Sequence, residues 1–132
     1  MTPQALVELV TSFYHLFESG NAEAAADLLS EDIEWHNPMP EQIPFGGEYR
    51  GRAAVIAYWT ELMAALEMGP MEVDQMVAQD DTVVVVGRES STARSTGKEY
   101  QIHWVHLYKI TDGKIVYVRE YNHTAAMLQA FV

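Results

Sequence analysis

The sequence predicts a single α+β domain, on three observations. Its 132 residues are the usual size of one domain. Apolar residues recur at helical spacing early in the chain and alternate as in strands later on. No repeat, linker or low-complexity stretch divides it. Helices first and strands afterwards is the order of an α+β fold rather than an alternating α/β one.

Composition removes several function classes. Eight basic residues against nineteen acidic ones give a net charge of −11. Such a field repels phosphate backbones, so no nucleic-acid partner is expected. There is no cysteine, which removes disulfides, thiolate metal sites and a cysteine nucleophile. No segment approaches the roughly 20 apolar residues of a membrane-spanning helix, and no membrane association is expected. The N-terminus lacks a basic region followed by an apolar run, so a cytoplasmic protein without a signal peptide is expected.

Residues Pro3 to Ser19 read as a helix, with Leu6, Leu9, Val10, Phe13, Leu16 and Phe17 on its apolar side. Pro3 suits a first helical turn and Gly20 a C-terminal cap. Asn21 then caps a short helix, Ala22 to Leu29. Ile33 to Asn37 alternates as a strand, placing Ile33, Trp35 and Asn37 on one face.

Pro38, Pro40, Pro44, Gly46, Gly47 and Gly51 punctuate a loop long enough to line a binding site. Arg52 to Glu67 is a third helix, striped by Val55, Ile56, Trp59, Leu62, Met63 and Leu66, with Tyr58 at the stripe's edge. Gly69-Pro70 ends it. Strands follow at Met71 to Ala78, Thr82 to about Ala93, Glu99 to Ile110 and Lys114 to Asn122. A short helix, Thr124 to Phe131, closes the chain.

The long strands are apolar on both faces. Ile102, Trp104, His106, Tyr108 and Ile110 alternate with His103, Val105 and Leu107. Helices cover one face, and a homodimer is expected to cover the other.

The order of elements and several short motifs resemble the SnoaL-like and ketosteroid-isomerase-like members of the nuclear transport factor 2-like superfamily. The motifs are Phe13-Tyr14 through Glu18-Ser19-Gly20-Asn21, Leu28 to Trp35, Tyr49-Arg50-Gly51-Arg52-Ala53-Ala54-Val55, Asp112-Gly113-Lys114-Ile115 and Arg119-Glu120-Tyr121-Asn122. The resemblance spans nearly the whole chain. It implies a cone-shaped roll, a curved sheet wrapped around three N-terminal helices with one pocket inside. It implies no single reaction, because this superfamily hosts isomerases, cyclases, hydrolases, dehydratases and silent binders.

Residue by residue, the isomerase machinery is altered. Phe13 stands where the isomerases carry a tyrosine, and Tyr14 is turned about 100° around the helix. Asn37, before Pro38, stands at the general-base aspartate, and His106 near the second aspartate. The cyclases often place an acid near the end of the last strand, where this chain has Asn122 and His123.

The last hairpin decides which side chains face the pocket, and two registers are open. If Asp112-Gly113 is a two-residue turn, His106 opposes Arg119. If Thr111-Asp112-Gly113 is a three-residue loop, His106 opposes Val118 and Trp104 opposes Glu120. The resemblance favours the second. The expected pocket face is then Trp35, Asn37, Trp104, His106, Tyr108, Val118, Glu120 and Asn122, backed by Phe13, Tyr58 and Leu62.

The expected catalytic residues are His106, Glu120 and Asn37. His106 either titrates near neutral pH as a general acid or base or is a hydrogen-bonded histidine of the packed interior, and Glu120 is either an enclosed base or proton donor or the partner of a nearby basic side chain. Asn37 and Asn122 orient a carbonyl or water, while Trp35, Trp104, Tyr58, Phe13 and Tyr108 hold the ligand. His103 and His106 fall on opposite strand faces, so no metal site is expected. The leading reading is an isomerase- or cyclase-like enzyme that needs no cofactor and acts on a small hydrophobic carbonyl or polyketide-like compound. The alternatives are a non-catalytic binder of an apolar ligand and a homodimeric protein-interaction domain.

Overall fold

The structure, a computed structural model, describes residues 1–132. Its elements run α1 (Pro3–Glu18), α2 (Ala22–Ala26), β1 (Leu29–Asn37), β2 (Gly47–Arg50), α3 (Arg52–Ala65), β3 (Leu66–Gln79), β4 (Thr82–Ala93), β5 (Glu99–Thr111), β6 (Lys114–Asn122) and α4 (Thr124–Phe131). Six strands form one sheet in the order β2-β1-β6-β5-β4-β3. Only β1 and β6 run parallel.

Local chemistry explains the helix ends. The Thr2 hydroxyl caps α1 by accepting from the amide of Ala5, and Pro3 occupies the first turn. Asn21 caps α2 by accepting from Ala24. The helix α2 stops at Ala26 rather than Leu29, because Leu29 pairs with Ile115 and starts β1 four residues earlier than expected. The proline- and glycine-rich loop also contains a strand not foreseen, β2, whose Tyr49 pairs with Trp35.

Helix α3 ends at Ala65, and Gly69-Pro70 lies inside β3 instead of ending the helix. Leu66, Glu67 and Met68 pair with Ala93, Thr92 and Ser91, and the ladder shifts register between Met68 and Met71. A proline is tolerated there because β3 is an edge strand and the irregularity needs no amide donor. The buried face of α3 also differs. Tyr58 is 1% exposed while Ile56 and Met63 are exposed, so the stripe turns toward Val55, Tyr58, Trp59 and Leu62.

The last hairpin follows neither expected register throughout. Thr111 pairs with Lys114 and Ile110 with Ile115, as in a two-residue turn, and Asp112 and Gly113 both have positive φ. Then Lys109 pairs with Tyr117, which leaves Val116 as a bulge. Beyond it His106 opposes Glu120, Trp104 opposes Asn122 and Tyr108 opposes Val118. The preferred register was wrong by two residues, an even number, so the same side chains face inward.

Helices α1 and α3 fill the concave side of the sheet. Leu6, Val10, Phe13 and Tyr14 from α1 meet Val55, Tyr58 and Trp59 from α3 in one core with Val83, Val85, Ile102, Tyr108 and Val118. Helix α4 closes one end, where Phe131 meets Phe45 of the long loop edge to face. No helix is long and apolar enough to cross a membrane.

Candidate active site

The core leaves a narrow cavity of about 50 Å³ between the concave sheet face and the helices. Its wall is mostly aromatic and methionine-rich, with a few polar side chains. Glu120 reaches it because the Val116 bulge returns the strand to the inward phase.

Two hydrogen-bond chains converge on the Glu120 carboxylate. In one, Asn122 Nδ2 donates to Asn37 Oδ1 at 3.0 Å, Asn37 Nδ2 donates to Tyr58 Oη at 2.7 Å, and Tyr58 Oη donates to Glu120 Oε2 at 2.8 Å. Trp35 Nε1 donates to the same oxygen at 2.8 Å. In the other, Tyr108 Oη donates to Tyr14 Oη at 2.8 Å, and Tyr14 Oη lies 2.7 Å from His106 Nδ1. In the tautomer whose Nδ1 accepts, the Tyr14 hydrogen goes to Nδ1. The imidazole hydrogen then sits on Nε2, 3.5 Å from Glu120 Oε1.

The two carboxylate oxygens are held unequally. Oε2 is held by two donors at 2.8 Å, whereas Oε1 has His106 Nε2 only at 3.5 Å. Burial pushes the Glu120 carboxyl up to about 7, against the opposing pull of its hydrogen bonds from Trp35 and Tyr58. Burial lowers His106 to about 3. His106 is therefore neutral at pH 7 and does not titrate near neutrality as expected; Glu120 does. Burial likewise pushes Tyr14, Tyr58 and Tyr108 above the usual phenol range, so all three remain donors.

The expected residues Phe13, Trp35, Asn37, Tyr58, His106, Tyr108, Glu120 and Asn122 all line the cavity, as does Leu62. Trp104 does not. Its indole lies behind His106, stacked on the imidazole with centroids 4.0 Å apart and planes 12° from parallel. The ring fits there because residue 87, its partner on β4, is a glycine. A Cβ at Gly87 would fall 2.5 Å from the Trp104 ring. Trp104, expected among the ligand-holding residues, thus packs against His106 outside the cavity wall. Val118 is buried in the core outside the cavity wall.

Three polar wall residues were missed in the sequence. Tyr14 is buried beside Phe13 because the buried arc of α1 is wide enough for both, as on many globular helices. Glu89 and Tyr100 line the far end of the cavity. Alternation in β4 carried the signal for Glu89, which shares a face with Val83, Val85, Gly87 and Ser91. His103 is exposed while His106 is buried, and no three His, Asp or Glu side chains gather as a metal would need.

A family model described as SnoaL-like domain matches residues 10–118. Among solved structures, the chain is similar to an NTF2-like protein from Burkholderia xenovorans, with 29% identity, a TM-score of 0.90, and coverage of 100% of this chain and 99% of that one. It shares its fold with TerC co-crystallised with polyporic acid, at 22% identity and a TM-score of 0.87 over 96% and 98% of the two chains. The same holds for a putative SnoaL-like polyketide cyclase from Mesorhizobium loti, at 22% identity and a TM-score of 0.73 over 92% and 99%. No curated protein matches the sequence.

Proposed function

The chain belongs to the SnoaL-like domain family, which matches residues 10–118, and from that premise we propose that it is an acid–base enzyme acting on a small aromatic or polyketide-like carbonyl compound. Glu120 removes a proton beside the carbonyl through Oε1 and returns it at another atom, as an isomerase or cyclase requires. His106, neutral and fixed by Tyr14 and Trp104, donates from Nε2 to the developing enolate oxygen or to Oε1. Asn37 and Asn122 set the position of Tyr58 and so of Glu120. The chemistry proposed uses side chains alone.

One observation carries this reading: a buried carboxylate, raised to about 7, stands at the wall of an aromatic cavity with one oxygen uncommitted to strong donors. A carboxylate poised near the working pH balances basicity against the fraction ionised. The test is proton exchange in D₂O. The protein is incubated with a panel of aromatic ketones and enolisable quinones, and deuterium uptake is followed by NMR. Uptake that vanishes in Glu120→Gln is expected. Uptake unchanged in that variant overturns the proposal.

A second reading, a binder without chemistry, draws on the saturation of Asn37. Both ends of its amide are engaged by neighbours, Tyr58 and Asn122, at the position where the isomerases carry their base. Tight binding of polyporic acid, the compound co-crystallised with TerC, without exchange or product in any panel compound favours it.

We also propose a homodimer through the convex sheet face. Val77 and Tyr121 are each 50% exposed there, beside the half-buried Val84, Val105 and Leu107.

A further inference from the structure

The far end of the cavity carries a second polar group that the chemistry at Glu120 leaves unused. Glu89 and Ser91 stand on the concave face of β4, and Tyr100 faces Ser91 across the β4–β5 ladder. Ser91 Oγ donates to Glu89 Oε2 at 2.8 Å. Tyr100 is 5% exposed and lines the cavity; its hydroxyl lies near that of Ser91 but makes no hydrogen bond of ordinary geometry. An unpaired buried hydroxyl lowers stability, whereas a phenylalanine there would not. A ligand oxygen that pairs with it accounts for the tyrosine.

The two polar ends are separate. Glu120 aligns through His106 with Val85, and Glu89 lies four residues further along β4. At roughly 3.3 Å per residue that is about 13 Å of strand. Leu66, Met68, Met71 and Met127 line the cavity together with these groups and offer adaptable apolar surface. Burial raises the Glu89 carboxyl, and its charge contributes to the raised Glu120.

We infer that Glu89 and Tyr100 form a distal subsite, and that the ligand is an elongated aromatic molecule bearing an oxygen function at each end. This rests on the cavity being the ligand site proposed above. The reacting carbonyl or enol lies against Glu120. A hydroxyl at the other end donates to the Glu89 carboxylate and accepts from Tyr100 Oη. Ligands lacking that second oxygen leave the Tyr100 hydroxyl unpaired and Glu89 with its Ser91 hydrogen bond alone, and are discriminated against.

The test is calorimetric titration of the full chain at neutral pH with two probes, para-hydroxybiphenyl and para,para′-dihydroxybiphenyl. The doubly hydroxylated probe is expected to bind about tenfold more tightly, the effect of one well-formed hydrogen bond. Tyr100→Phe is expected to reduce that advantage below about twofold, leave the affinity for the singly hydroxylated probe unchanged, and leave the melting temperature unchanged or higher. Glu89→Gln, a second variant of similar shape, is expected to reduce the advantage too. Glu120→Gln is expected to weaken both probes by the same factor. Equal affinity of the two probes for the unmodified chain, or an advantage that survives Tyr100→Phe, overturns the distal subsite and leaves the proposed function standing. Failure of both probes to bind overturns the cavity as an aromatic-ligand site and this inference with it.

Discussion

The indole Nε1 of Trp35 donates to Oε2 of Glu120 at 2.8 Å, from the strand that runs parallel to β6. That hydrogen bond favours the anion and opposes the upward push of burial. A charge-assisted hydrogen bond contributes about 1.5–3 kcal/mol. Trp35→Phe is therefore expected to raise the Glu120 pKa above 7 by about one to two units. Carboxyl-carbon NMR titration reads it. An unmoved midpoint would mean the indole does not hold the charge.

Tyr58 links Asn37 to Glu120, accepting from one and donating to the other. Tyr58→Phe leaves the buried Asn37 Nδ2 without an acceptor, at a cost of about 1–3 kcal/mol. Adding Asn37→Leu removes the stranded amide. Chemical denaturation of the double variant should show less than the sum of the two single losses, because the residues share one network. Simple additivity would show that the chain Asn37–Tyr58–Glu120 is not coupled.

Stability against pH tests the two central titrations with opposite signs. His106 is lowered from 6.5 to about 3, so in that range the unfolded chain binds the extra proton and stability rises with pH. Glu120 is raised from 4.5 to about 7, so the native chain binds the extra proton and stability falls as pH rises across that range. Where the windows overlap, 4.5 to 6.5, the two contributions cancel. His106→Gln should tilt the profile downward with rising pH, and Glu120→Gln upward, each approaching about 1.4 kcal/mol per pH unit. Melting curves between pH 4.5 and 6.5 check this. Parallel profiles in the two variants would contradict it.

The proposed catalytic cycle has its own pH signature. Glu120 works as the carboxylate in the first step, so kcat/KM should rise with pH and level off above about 7. A rate that falls through the same midpoint would make Glu120 the acid instead.

Gly87 is the close-approach point that seats Trp104. A Cβ there would lie 2.5 Å from the ring and 2.6 Å from the Glu72 carbonyl oxygen. Gly87→Ala should destabilise the fold by about 1–3 kcal/mol through overpacking. It should also lower activity more than Val77→Ala on the convex face, because the displaced indole no longer holds His106. Equal activity in the two variants would remove Trp104 from the positioning role. For the convex face itself, Tyr121→Glu should halve the mass seen by sedimentation if the chain dimerises there.

Much of the fold was legible in the sequence, because helix stripes, cap residues and strand alternation are local. Phe13, Trp35, Asn37, Tyr58, His106, Tyr108, Glu120 and Asn122 could be assigned to one cavity from alternation and from the resemblance. Pairing across elements could not be read this way. Gly69-Pro70 looks like a helix stop in isolation, yet an edge ladder with β4 absorbs it into β3. The Val116 bulge has no sequence mark, yet it alone keeps Glu120 inside a hairpin whose turn would otherwise send it out.

The sequence by itself determined which side chains share a strand face or a helix side, since those periods follow from backbone geometry. The tertiary structure decided which of two polar partners meet, and therefore which group titrates. Burial of His106 between Trp104 and Tyr14, and of Glu120 beneath Trp35 and Tyr58, depends on five separate elements closing over one space. Desolvation is a property of that closure, and no local stretch of sequence encodes it.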